Sequence, residues 1–140
     1  MKKILMPVDG SDCALRAVKH VIGLAPNLNN VELHLINVQA PLPSDVSRFI
    51  SADDIKSFHQ EEAKKELQSA RDALDAAGVT YQVHIVVGDP AQSIARFAEE
   101  NGCDQIVMGT HGRTGLAGAV MGSVATKTLH LSKVPVLVVK

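Results

Sequence analysis

Aromatic residues are scarce in this chain: its 140 residues hold one Tyr, three Phe and no Trp. That scarcity argues against a base-stacking surface for single-stranded nucleic acid. An excess of either charge is missing too, because 14 basic residues stand against 15 acidic ones for a formal net charge of -1. No Lys/Arg cluster forms the basic face that nucleic acid or an anionic membrane needs. Cysteine is almost absent. Cys13 and Cys103 belong to no C-x-x-C pair and to no Cys/His cluster with zinc spacing, so they read as reduced, partly buried thiols. Long hydrophobic runs are lacking as well. The first apolar stretch, Ile4 to Val8, is too short for a signal-peptide core or a membrane span. The chain therefore reads as cytoplasmic, without an export signal, membrane insertion or a nucleic-acid partner.

What is present is core material. Apolar residues make up 46% of the sequence, and the length fits one domain over residues 1–140. Ile4-Leu5-Met6-Pro7-Val8 is continuously apolar, as strands buried on both faces are. Ser11 or Asp12 caps a helix through about Ala25, closed by Pro26 and the Asn27 to Asn30 region. Val31 to Val38 reads as a second strand, and Pro41 and Pro43 as a loop. A long helix follows, with Ser51 and Asp54 in a capping-box pattern, apolar residues from Ile55 to Leu74 at helical spacing, and Gly78 as its stop. Val79 to Val87 alternates, with His84 on its polar side, and reads as a strand near a sheet edge with one wet face. His34 falls on a polar strand position and is expected at the surface. Gly88-Asp89-Pro90 opens a helix to about Asn101, and Gln105 to Met108 is a fourth strand. A helix over Ser123 to Leu131 and a strand over Val136 to Val139 close the chain. Strands alternate with helices throughout, which predicts an α/β fold: a doubly wound, five-stranded parallel sheet with helices on both faces, Rossmann-like. Ligands of such sheets sit beyond the strands' carboxyl ends, where strand order reverses.

Five of the ten glycines fall at 109, 112, 115, 118 and 122, after a buried strand and before a helix. Glycines there let a ligand approach the main chain, and N–H groups and a helix N-terminus attract an anion. Ser123 adds a hydroxyl donor and a candidate cap. No Gly-Lys-Ser/Thr ends the segment and its spacing is not G-x-G-x-x-G, so neither standard phosphate motif applies. The residues alone leave two readings: an anion cradle, or a flexible loop with an ordinary Gly-Ser helix cap. Arg113 is either a bidentate phosphate ligand or a solvated loop residue. His111 is a candidate general base, or a histidine merely hydrogen-bonded in a loop.

Gly109-x-x-Gly112, nine residues, then Gly122-Ser123 resembles the ATP-binding signature of the universal stress protein family. The likeness extends to Ile4 to Ser11, to Gly88-Asp89-Pro90 and to Val134 to Val139. It implies strand order 3-2-1-4-5, which composition does not show. It also implies a nucleoside side at Pro7, Asp9 and Val38. Ribose and phosphates then fall to Met108, Gly109, Gly112, Gly122, Ser123 and Val124, with Arg113 beside them. ATP is the ligand so implied, and any Mg²⁺ would arrive with its phosphates; no side-chain metal site and no catalytic residue are expected. The implied role is regulatory ATP binding with little or no hydrolysis. A slow ATPase or phosphotransferase using His111 or Asp9, and a dimeric interaction module with a vestigial pocket, are the alternatives. Homodimerisation through 136–139 is also implied, since Pro135 suits an edge strand and an apolar edge wants covering.

Overall fold

A computed structural model describes residues 2–24, 30–112 and 121–140. Ten elements follow in order: β1 (Lys2–Pro7), α1 (Asp12–Gly23), β2 (Val31–Gln39), α2 (Ser44–Ser47), α3 (Ala52–Ala76), β3 (Gln82–Val87), α4 (Pro90–Glu100), β4 (Gln105–Gly109), α5 (Ser123–Leu131) and β5 (Val136–Val139). The strands form one sheet in the order β3-β2-β1-β4-β5, every pairing parallel. Order reverses at β1, which lies between β2 and β4.

Alternation within the strands feeds two cores. Ile4, Met6, Val8, Leu33 and Leu35 pack with Val18 and Val21 of α1 and with Leu67 and Leu74 of α3. Leu5, Ile36, Ile106 and Met108 face the other way, onto Ile94 and Ala98 of α4 and Ala125 of α5. Both faces of the sheet are thus covered, which is why β1 can be apolar at consecutive positions.

Local signals set most boundaries. Ser11 accepts from Ala14 N at 3.1 Å to cap α1, and Ser51 accepts from Asp54 N at 3.1 Å to cap α3. Asp89 caps α4 through Gln92 N at 3.1 Å, with Pro90 in the first turn. Gly78 ends α3 at φ +69°, the left-handed geometry a side chain disfavours.

The structure departs from the sequence reading in several places. Helix α1 ends at Gly23, with Leu24 closing it, and residues 25–29 lie outside the described residues. A short helix, α2, occupies the expected loop after Pro43. Strand β3 begins only at Gln82, where β2 offers His34 as its partner, while Val79 and Tyr81 pack against the first core instead. β3 does lie at an edge and Gln82 is exposed as expected, but Ile85 and Val87 are exposed as well, while His84 is half-buried. His34 is 5% exposed rather than at the surface. The cause is α4, whose Phe97 lies 4.5 Å from the His84 ring, while His34 Nδ1 stands 2.8 Å from His84 Nε2. Among the described residues, no helix is long and apolar enough to cross a membrane.

Candidate functional site

The carboxyl ends of β1, β2 and β4 open onto a cavity of about 740 Å³ at the point where strand order reverses. It draws Pro7 and Asp9 from β1 and its turn, and Val38 from β2. Met108, Gly109 and Gly112 reach it from β4 and the following turn, and Gly122, Ser123 and Val124 from the start of α5. Nine sequence-predicted residues therefore converge on one cavity. The tenth, Arg113, lies outside the described residues, as do Gly115 and Gly118.

Asp9 is held within its turn, where Oδ1 accepts the Ser11 N–H at 3.0 Å. It does not cap α1; Ser11 does. A β-carbon on Gly112 would come within 2.8 Å of Asp9 Oδ2. Gly112 does not take a left-handed φ, so its glycine answers a steric need created by the neighbouring carboxylate. At Gly109 the need is different: a β-carbon would meet Cys13 C at 2.8 Å and Cys13 O at 2.9 Å. Glycine there admits the first turn of α1 against β4. Packing thus demands glycine at 109, a residue that also lines the cavity.

Thr110, which sequence reasoning did not single out, ties this region together. Its N–H donates to Val139 O at 2.9 Å, and its carbonyl accepts from Gly122 N at 2.7 Å. Thr110 Oγ1 stands 3.0 Å from His111 Nδ1 and 3.4 Å from Cys13 Sγ. The two ends of the glycine segment therefore meet, with a β-carbon on Gly122 falling 3.4 Å from His111 Cα. A short hydroxyl residue between two glycines was the available signal. Burial raises the Cys13 thiol pKa, but hydrogen bonds with Thr110 and the His111 backbone, with Arg16 nearby, more than offset this and leave it below the ordinary value.

Helix α5 starts at Gly122 as its N-cap, with no side-chain cap bond. Ser123 is exposed and stands at the first helical position, so it is not the cap the sequence suggested. The first N–H groups of α5 thus meet the cavity with the positive end of the helix dipole. Pro90 and Ile94 of α4 and Met121 complete an apolar wall that the sequence did not mark. Asp89 joins the two helices: Lys127 Nζ lies 3.3 Å from its Oδ2. The Gln92 N–H, with help from Lys127, holds the Asp89 carboxyl below its usual range. Among the described residues, no group of three His, Cys, Asp or Glu stands where a metal ion could be held.

Comparison with known proteins bears on this architecture. The model of the universal stress protein family matches residues 1–140. The universal stress protein MJ0531 of Methanocaldococcus jannaschii is 38% identical over 145 residues, spanning 99% of this chain and 82% of that protein. The solved structure of protein MJ0577 superposes with a TM-score of 0.84 at 37% identity, covering 99% of this chain and 95% of the other. A universal stress protein solved in complex with cAMP gives a TM-score of 0.73 at 30% identity, covering 99% and 97%. A family match over the full length, joined to the same five-stranded order and the glycine signature at the strand ends, places the chain: it belongs to the universal stress protein family.

Proposed function

We propose that this protein is a cytoplasmic ATP-binding regulator of the universal stress response, in which bound nucleotide signals through conformation or assembly with little or no hydrolysis. One observation supports this most: a carboxylate, Asp9, and a helix N-terminus without a side-chain cap face the same cavity at the switch point. Asp9 offers an acceptor to hydroxyl or amino donors of a nucleoside, and the α5 N–H groups with Ser123 offer donors to phosphate. The apolar wall of Val38, Met108 and Ile94 suits a base. A relative that is solved with cAMP adds support for a nucleotide as the ligand class. Mg²⁺, where present, would be carried by the phosphates, because Asp9 is the one carboxylate among the described lining residues. Binding rather than hydrolysis is favoured because the described lining residues include no lysine and no pair of carboxylates.

The nucleotide released from acid-denatured purified protein and resolved by ion exchange tests this. Co-purified ATP, or saturable calorimetric binding of Mg-ATP, is expected. ADP as the released species would point to turnover, and an empty pocket that ignores added nucleotide would end the proposal.

A homodimer through β5 is the second part. β5 is an edge strand, Leu137 is 37% exposed, and Leu129 and Leu131 of α5 are also exposed. A second copy pairing on this edge would cover the open side of β5. Sedimentation that shows only monomer at roughly tens of micromolar would count against it.

A further inference from the structure

On the face of the sheet away from the cavity, three polar side chains meet beneath the turn that carries Asp9. Asn37 is fully buried and Gln39 is 7% exposed; both come from β2. Asn37 Nδ2 donates to the Val8 carbonyl at 2.8 Å and stands 3.4 Å from Glu66 Oε1. Gln39 Nε2 donates to Asn37 Oδ1 at 2.7 Å and to Glu66 Oε2 at 3.1 Å. Glu66 belongs to α3. Its main chain also presses on the turn, because a β-carbon on Gly10 would stand 3.3 Å from Glu66 Cα. Gly10 itself lies at φ +87°.

The chemistry of the trio is directional. Two side-chain amides turn N–H groups toward one carboxylate, and only a carboxylate offers an acceptor oxygen to each without bringing a donor of its own. Satisfying both amides from α3 leaves the Asn37 amide aimed at Val8 O, one residue before Asp9. None of the three lines the cavity.

We propose that Glu66 is a positioning residue. From the far face of the sheet it fixes the Val8 to Gly10 turn through Asn37 and Gln39, and so sets where the Asp9 carboxylate stands. The effect on affinity rests on the nucleotide reading above; the control of the turn does not.

Glu66→Gln replaces one acceptor oxygen by an N–H₂ facing other donors. Gln39→Met, of similar volume, removes one arm and serves if the first variant folds poorly. In nucleotide-free protein, amide exchange at Asp9, Gly10 and Ser11 should quicken in both variants, while Val107 in β4 stays protected. Mg-ATP affinity should fall roughly three- to thirtyfold, the range of coupling that acts through an intermediate element. Binding of inorganic tripolyphosphate should hold, and the loss for Mg-ATP should shrink in an Asp9→Ala background. Lowered melting temperature with unchanged exchange at the turn and unchanged ATP affinity would make Glu66 a packing anchor and overturn the proposal. A full loss that persists without Asp9 would overturn it as well. Faster exchange at the turn in a protein whose wild type binds neither Mg-ATP nor AMP would sink the nucleotide reading and leave the positioning role supported.

Discussion

The β-carbon that Gly112 lacks would stand 2.8 Å from Asp9 Oδ2. A side chain at 112 would therefore have to displace the Asp9 carboxylate, which the Ser11 N–H holds through Oδ1. Gly112→Ala should push Asp9 aside and lower Mg-ATP affinity, and Asp9→Ala should cost about 1.5–3 kcal/mol of binding, the worth of a charge-assisted hydrogen bond. Because the clash needs the carboxylate, Gly112→Ala should cost much less once Asp9 is alanine. Calorimetry on the two single variants and the double variant checks this; strictly additive losses would disprove the steric account.

Ser123→Ala should separate binding from folding. The cap of α5 is Gly122 and the Ser123 hydroxyl is exposed, so stability should move by no more than about 0.5 kcal/mol. If the hydroxyl donates to phosphate, affinity for Mg-ATP should drop roughly tenfold or more. Melting curves run beside titrations read both, and an unchanged titration removes Ser123 from the phosphate site.

Gly109→Ala makes the opposite forecast. Its new methyl would meet Cys13 C and O at 2.8 and 2.9 Å, and main chain cannot step aside as a side chain can. The expected loss is about 1–3 kcal/mol of stability, read from the denaturant midpoint. Truncating Cys13 to alanine should not restore it, since two of the three closest atoms are backbone.

Acid should loosen the β2–β3 edge. Burial first, and then the neighbouring His34, hold His84 below its ordinary value of 6.5. The unfolded chain therefore takes up a proton on this group before the native one does. Stability should fall as pH drops from about 6.5 toward the lower native value, and be free of this penalty above it. Protonating His84 would also turn its Nε2, 2.8 Å from His34 Nδ1, into a donor only. His84→Gln should flatten the fall in melting temperature across that window. An equally steep fall in the variant would place the sensitivity elsewhere.

Much of this was legible because its causes are local. Ser51 and Gly78 bound α3 through contacts within a few residues, and the apolar run of β1 reports burial on both faces directly. The strand order was not readable from composition; it came with the family resemblance. Other features depend on partners distant in the chain. His34 is covered because Phe97 arrives on α4 above its neighbour His84, so the alternation of β2 placed Leu33 and Leu35 in the core correctly but left His34 at the surface wrongly. The packing demand for glycine at 109 comes from Cys13, distant in the chain, and spacing alone did not show it. The role of Thr110 shows only once β5 and α5 are folded onto it.

The bond from Gly122 N to Thr110 O, at 2.7 Å, has a consequence for how this protein can change. The N–H of Thr110 donates to Val139 O at 2.9 Å. Thr110 is thus a rivet through three elements, the end of β4, the edge strand β5 and the start of α5. A displacement of the α5 N-terminus at the cavity is handed to the sheet edge through a single residue's main chain.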